Sequence, residues 1–177
     1  MAESGSGYSA AELAPWAVEV HELLSGAGVA HVLIGGAVVQ LYAKRARTRD
    51  VDYLVRVGPE RVASLRERLT EAGLRVETKA PWHLRAWKSD ILYADLVVAE
   101  VPVQDEIIDK AVLHDVAGSQ IPLATPEHLI VLKVIAGRPR DLRDVEDVRE
   151  SVAQLDDAEI ARMLAEFDLA WPPTTAS

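Results

Sequence analysis

Two aspartates, Asp50 and Asp52, stand one residue apart at the start of an apolar run, residues 51–57. The run is rich in Val, Leu and Tyr, which predicts a β-strand. Because successive side chains of a strand point to opposite faces, both carboxylates lie on the same face. Mg²⁺ is usually held by one or two protein carboxylates together with phosphate oxygens of a substrate. The pair therefore predicts a divalent-cation site.

A glycine pair precedes this strand and could bind the phosphates. A short apolar run over residues 31–34, predicted to be a strand, stops at Gly35 and Gly36. Glycine tolerates positive φ and lets the backbone come close to a ligand. The first free N–H groups of a short helix predicted over residues 38–43 would point to the same place. These residues predict an anion-binding turn.

The segment between the glycines and the strand is basic. Lys44, Arg45, Arg47 and Arg49 place four cations within six residues of a chain that is otherwise acidic. Any one of them could simply stabilise the C-terminus of the short helix through its dipole. All four together suggest a polyphosphate ligand.

These residues carry a family resemblance. Gly35-Gly36, thirteen further residues and then Asp50-Val51-Asp52 resemble the signature of the polymerase-β-type nucleotidyltransferases. Residues 47–52, Arg-Thr-Arg-Asp-Val-Asp, are most similar to the minimal bacterial branch that includes abortive-infection and type IV toxin–antitoxin nucleotidyltransferases. The resemblance implies transfer of a nucleotidyl group from a nucleoside triphosphate to a hydroxyl. It also implies two Mg²⁺ ions at Asp50 and Asp52, and a nucleotide held by Gly35, Gly36, Arg47 and Thr48.

A third carboxylate, Asp95, lies within the apolar segment 93–98. Buried carboxylates need a partner, and from the residues alone an ion pair with an arginine is the favoured interpretation. In the nucleotidyltransferase family a third carboxylate stands on a strand beside the Asp-x-Asp strand. The resemblance therefore implies that Asp95 is a metal ligand and a catalytic residue close to the acceptor.

Residues 126–145 resemble the C-terminal half of the same branch. Lys133 lies between apolar neighbours, and the residues alone predict that its ammonium reaches out to solvent. The resemblance instead places Lys133 at the nucleotide phosphates, together with Asp141 and Asp144. Two interpretations of these aspartates stay open: an ion pair with Lys133 or Arg138, or a solvated acidic first turn of a helix.

Periodicity and turn residues predict a small mixed sheet with flanking helices, an α/β (α+β) fold. We expect a flexible lead-in over residues 1–8, a nucleotidyltransferase domain over 9–124, a helical element over 125–170 and a tail over 171–177. The predicted helices span residues 10–24, 59–72, 106–113, 126–136, 140–154 and 157–167. The predicted strands span residues 31–34, 51–57, 74–78, 84–88 and 91–99, followed by a β-turn-β segment over 116–123.

Composition narrows the range of functions. The 177 residues carry a formal charge of -9, which disfavours broad nonspecific binding along nucleic acid. The absence of cysteine excludes disulfides and thiolate metal sites. Without a recognisable secretory signal or a membrane-length apolar run, the cytoplasm is the expected location.

The acceptor is the least determined part of the prediction. A toxin-like enzyme that acts on tRNA, with a cognate antitoxin as protein partner, is favoured by the resemblance. A small-molecule nucleotidyltransferase of the antibiotic-modifying type is the second hypothesis. A non-catalytic binding module with the same fold is the third.

Overall fold

The computed structural model describes residues 7–43 and 47–171, and this part of the chain forms seven helices and one sheet of seven strands. The helices are α1 (Ala10–Gly26), α2 (Gly35–Ala43), α3 (Pro59–Glu71), α4 (Pro102–Asp109), α5 (Pro126–Ala136), α6 (Pro139–Ser151) and α7 (Asp157–Ala165). The strands are β1 (Ala30–Ile34), β2 (Asp50–Arg56), β3 (Arg75–Ala80), β4 (His83–Trp87), β5 (Tyr93–Val98), β6 (Val112–Val116) and β7 (Ser119–Leu123).

The sheet is mixed, as predicted, with the strand order β3-β4-β5-β2-β1-β7-β6. β2 runs parallel to β5 and antiparallel to β1, and β1 runs parallel to β7. The strand that carries Asp50 and Asp52 is therefore the middle strand, hydrogen-bonded on both sides. Strands held on both sides have little freedom, so the positions of the two aspartates are set by the sheet.

Helix α1 anchors this middle strand from one face. Ser9 caps the helix in a capping box with Glu12, and the helix buries Leu13 and Val20 against the core. Tyr53 of β2 is fully buried and donates a hydrogen bond of 2.7 Å to the carbonyl oxygen of Ala17. Side chains alternate along β2, so burying Tyr53 under α1 turns its neighbours Asp52 and Leu54 to the other face.

One predicted helix is misplaced. Residues 106–113 are not a single helix: α4 ends at Asp109, and residues 112–116 form β6, which pairs with β7 around Gly118. Pro102 begins α4 earlier than predicted, since proline is well suited to a first helical position. The β-turn-β segment around Gly118 is confirmed, with a longer first strand.

The described part of the chain includes the last two residues of the predicted flexible lead-in, Gly7 and Tyr8. Tyr8, at the end of the predicted lead-in, forms a β-bridge with Thr48 through hydrogen bonds of 2.6 and 3.2 Å. The division at residues 124 and 125 falls between β7 and α5, and stays a prediction. Lys44 and Arg45 of the basic segment, residues 1–6 and the tail 172–177 lie outside the described residues.

Among the described helices, none has the length and apolar character needed to span a membrane.

Candidate active site

Three carboxylates come together where β2 meets β5. Asp52 and Asp95 are directly opposite each other in the parallel register, and Asp50 points to the same face two residues earlier. One oxygen from each of the three carboxylates lies within 4.8 Å of the other two. Such a cluster of hard oxygen donors suits a divalent cation. The structure thus brings together all three residues that were predicted to bind metal.

The negative charges of the three carboxylates in this cluster repel one another. Burial, followed by the neighbouring charges of Asp50 and Asp95, raises the pKa of Asp52 to about 8. Lys133 and Arg140 act against this rise but do not cancel it. Carboxylates held this close are stabilised when a cation binds among them, because it compensates both the repulsion and the lost hydration. The donor set therefore fits Mg²⁺.

The glycine pair packs directly against this acidic strand. Gly35 has φ of +72°, and a Cβ at this position would overlap the Asp52 carboxylate, 2.6 Å from its Cγ. A Cβ on Gly36 would lie 2.9 Å from the Cβ of Thr48. Helix α2 begins at Gly35 itself, so its first N–H groups lie beside the carboxylates. The packing alone requires two glycines here, and their phosphate-binding role stays a prediction.

Thr48 and Arg47 have different surroundings. The Thr48 hydroxyl is buried and donates a 2.7 Å hydrogen bond to Oδ1 of Asp50, which orients that carboxylate. Arg47 donates to the Gly7 carbonyl oxygen at 2.6 and 2.9 Å and lies 3.3 Å from Glu12. The Arg47 guanidinium is thus bound to the N-terminal segment, and contact with a nucleotide stays a prediction for both residues.

An open cleft of about 420 Å³ begins at the glycine pair. That volume lies within the range of small-ligand sites. Gly36 and Thr48 form one wall, and α6 forms the other. The residues that line it are Gly36, Arg47, Thr48, Arg140, Arg143, Asp144, Glu146, Asp147 and Glu150.

Lys133 is buried instead of reaching solvent, so the prediction from its neighbours was wrong. Its ammonium is 3.2 Å from Oδ1 of Asp141 and 2.5 Å from Oδ2 of Asp144, both also buried. Arg138 also bonds to Asp141. Of the two interpretations of the aspartates, the structure has the ion pair. Asp141 in the first turn of α6 and Asp144 in the next turn supply two carboxylates, which compensate the charge of the buried ammonium.

Asp95 has the arginine partner predicted from the residues alone and also lies in the carboxylate cluster that the resemblance implied. Arg85 on β4 is directly opposite and donates to both of its oxygens, at 2.7 and 2.8 Å, while His83 Nε2 lies 2.9 Å from Oδ1. Burial raises the pKa of Asp95, but the hydrogen bonds and charges of Arg85 and His83 outweigh burial, and the net pKa is below the usual value. Asp95 is therefore a stable anion within the carboxylate cluster.

Three residues of the site were not predicted from the sequence: His83, Arg85 and Tyr93. Tyr93 is opposite Asp50 in the register, and burial, followed by the charge of Asp50 and a hydrogen bond to it, raises its pKa to about 12. A signal was present in the sequence. If the hairpin around residues 89 and 90 is paired strand to strand, Arg85 falls opposite Asp95.

Comparisons with known proteins agree with this geometry. Residues 92–168 match a family model described as "Nucleotidyl transferase of unknown function (DUF2204)". A search of the curated proteins gives no match.

Several solved structures share the fold. An antigenic nucleotidyltransferase-like protein from Paracoccidioides brasiliensis is 16% identical, with a TM-score of 0.62 over 92% of this chain and 89% of that chain. The antibiotic-resistance factor ANT(2'')-Ia is 15% identical, with a TM-score of 0.63 over 89% and 91%. The lincosamide antibiotic adenylyltransferase LnuA, in its lincomycin-bound form, is 15% identical, with a TM-score of 0.56 over 77% and 96%.

At these identities the structural likeness establishes the fold. The fold implied by the predicted superfamily is confirmed, and membership of the toxin–antitoxin branch stays a prediction. Over residues 92–168 the chain is similar to a nucleotidyltransferase family, its fold is that of the nucleotidyltransferase structures named above, and its three carboxylates lie together as the resemblance implied.

Proposed function

We propose that the protein is a Mg²⁺-dependent enzyme that transfers a nucleotidyl group from a nucleoside triphosphate to a hydroxyl acceptor. The observation that carries this proposal is the cluster of Asp50, Asp52 and Asp95, with oxygens within 4.8 Å of one another beside the glycine turn. A bond forms between the acceptor oxygen and the α-phosphorus. The bond from the α-phosphorus to the oxygen bridging to the β-phosphorus breaks, and pyrophosphate leaves.

The carboxylates divide the metal binding between them. Asp50 and Asp52 would hold two Mg²⁺ ions, and Asp95 would share one of them. When bound, the ions would lower the pKa of the acceptor hydroxyl and neutralise charge on the triphosphate. Thr48 holds the Asp50 carboxylate in place through its hydroxyl, so that carboxylate is oriented before any ligand binds.

The triphosphate would lie on the α2 and α6 side of the carboxylates. The N–H groups at Gly35 and Gly36 would donate to phosphate oxygens, as helix N-termini commonly do. Lys133 would add positive charge from within its ion pairs, and its charge already acts on Asp52. Asp141 and Asp144 would then serve the nucleotide indirectly, by holding the Lys133 ammonium in position.

Asp95 would lie on the acceptor side. Its lowered pKa makes it a weak base, so we assign it the orientation of the attacking hydroxyl and the binding of metal. The hydroxyl proton would pass to Asp95 only transiently, and then to water. Positioning and electrostatics, more than covalent chemistry, would supply the rate.

We propose tRNA as the acceptor, in a toxin-like enzyme that a cognate antitoxin neutralises. The resemblance of residues 47–52 to that branch supports this acceptor.

A small-molecule acceptor is the second candidate. It is favoured by the likeness of nearly the whole fold to an antibiotic-resistance factor and to a lincosamide adenylyltransferase.

The test is transfer of label from each of the four α-labelled triphosphates, with total RNA in one arm and an aminoglycoside or a lincosamide in the others. Wild type should label one acceptor class in Mg²⁺ and none in excess chelator. Asp50→Asn and Asp52→Asn should lose transfer while keeping the wild-type circular dichroism spectrum. Full activity of either variant would exclude the proposed site, and a folded wild type that labels nothing would favour the binding-module hypothesis.

Growth separates the two acceptors in cells. If tRNA is the acceptor, induced expression without an antitoxin should slow growth, and Asp52→Asn at the same protein level should relieve it. Equal growth with wild type and variant would count against the toxin and leave the small-molecule enzyme.

A further inference from the structure

The hairpin of β3 and β4 differs in charge from the rest of the chain. Residues 75–88 contain four cations and one carboxylate, whereas the whole protein carries a charge of -9. Two of the four tryptophans, Trp82 and Trp87, lie in the same fourteen residues. A cationic, aromatic surface on an acidic protein indicates an anionic ligand with flat rings.

The side chains of this hairpin form one continuous stack. Trp87 is opposite Tyr93, and their ring centroids are 4.6 Å apart. The Arg75 guanidinium lies 4.7 Å from the Trp87 ring, and the Arg85 guanidinium lies 4.1 Å from the Tyr93 ring. Side chains alternate along β4: Leu84 and Ala86 are buried in the core, while His83, Arg85 and Trp87 face outward and are partly exposed.

A second ring pair extends this surface. The rings of Trp82 and His83 are stacked, 5.7 Å apart and 16° from parallel. Trp82 is 43% exposed, which is unusual for so large an apolar side chain. We call the set Arg75, Trp82, His83, Arg85, Trp87 and Tyr93 the aromatic platform.

The aromatic platform adjoins the carboxylates on the side away from the glycine turn. Arg85 bonds to Asp95, and Tyr93 stands opposite Asp50. The glycine turn follows β1, on the other side of β2. A triphosphate at the glycines and a ligand on the aromatic platform would therefore meet at the carboxylates from opposite sides.

We propose that the aromatic platform binds the unpaired 3′ end of a nucleic acid strand and presents its terminal hydroxyl at Asp95. Bases would stack on the exposed rings, and Arg75 and Lys79, two cations that share the single carboxylate of Glu77, would contact the phosphates. An aminoglycoside, itself a polycation, is disfavoured by the same charges. This inference rests on the proposed function, since it names the acceptor of that reaction.

The test measures strand binding without catalysis. A short 5′-fluorescent oligoribonucleotide is titrated into the full chain in excess chelator and without triphosphate, and its anisotropy is recorded. Trp82→Ala should weaken binding about tenfold, the value expected for loss of one stacked base. Arg75→Gln should weaken it and lower the salt dependence by about one counterion. A duplex of the same sequence should bind more weakly than the single strand.

Two variants outside the aromatic platform serve as controls. Trp171→Phe changes a tryptophan that bonds to Asp157 near α7, and Arg66→Gln removes an exposed cation on α3. Both should bind the strand as wild type does. Because Trp82 is exposed, its variant should keep the wild-type melting temperature, and Trp82→Phe should restore most of the affinity.

The outcomes separate this inference from the proposed function. Wild type that does not bind the strand, or Trp82→Ala and Arg75→Gln that bind it as wild type does, would overturn the aromatic platform even if Asp52-dependent transfer to a small molecule is found. Strand binding that both variants weaken, in a protein that transfers nothing, would support the platform and reject the enzyme. A deoxyribonucleotide arm then shows whether the 2′-hydroxyl contributes.

Discussion

Gly35 lies so close to Asp52 that any side chain at position 35 would displace the carboxylate. Gly35→Ala should therefore abolish nucleotidyl transfer and also lower stability, because φ of +72° costs a non-glycine residue roughly 1–2 kcal/mol. Gly73→Ala is the matched control: its φ is +88°, and nothing lies within 4 Å of the added Cβ. It should lose only the stability that its positive φ costs and should keep full activity. Activity in Gly35→Ala equal to that of Gly73→Ala would contradict the close packing.

The protonation of Asp52 predicts how pH acts on the metal-free protein. Its pKa is raised to about 8 in the folded protein from 3.8, so between these values the native state holds a proton that the unfolded chain has lost. Stability should then decrease as pH rises from about 4 to 8. Melting in chelator should show this fall, and Mg²⁺ should reverse it most strongly near pH 8. A fall of the same size in Asp52→Asn would show that another group is responsible.

Lys133 should contribute to both stability and nucleotide affinity. Lys133→Met leaves Asp144 buried without its partner, and loss of one member of a buried pair costs about 3–5 kcal/mol. The double variant Lys133→Met/Asp144→Asn removes the unpaired charge and should recover much of that stability. Calorimetry on the double variant should still show triphosphate binding weakened by about 1.5–3 kcal/mol. Unchanged affinity would place Lys133 in the scaffold alone.

A catalytic role of Asp95 can be distinguished from its structural role in the ion pair with Arg85 by comparing two variants that break this pair. Asp95→Asn and Arg85→Gln should lower the melting temperature to a similar extent, since each removes the bidentate contact. At saturating acceptor, Asp95→Asn should reduce single-turnover transfer by about 10²–10⁴-fold, with Mg–triphosphate affinity little changed. Arg85→Gln retains the carboxylate and should transfer much faster. Equal transfer by the two variants would assign Asp95 to the scaffold.

Local sequence patterns were sufficient to predict the arrangement of Asp50, Asp52 and the glycine pair. The alternation of side chains along a strand put Asp50 and Asp52 on one face, and the glycine pair marked the turn that packs against them. The adjacency of Asp95 depends on strand order, because β5 lies beside β2 although two strands separate them in the sequence. Only the family resemblance supplied that adjacency.

Other features depended on partners that local sequence does not reveal. The interpretation of Lys133 failed because the carboxylates that hold it come from the next helix and face it only after α5 and α6 pack. Arg47 was grouped with the phosphate site because of its charge, yet its guanidinium bonds to Gly7, forty residues earlier in the chain. Tertiary contacts between distant residues decide both cases.

The direct pairing of Asp52 with Asp95 restricts insertions and deletions in β2 and β5. One residue inserted into β2 or β5 before its carboxylate would turn that side chain into the core. Two inserted residues would restore the face but move the carboxylate by roughly 6.6 Å along the strand, farther than the whole cluster extends. Insertions and deletions are therefore expected to accumulate in the turns between elements, and a sequence alignment that opens a gap inside either strand is misaligned.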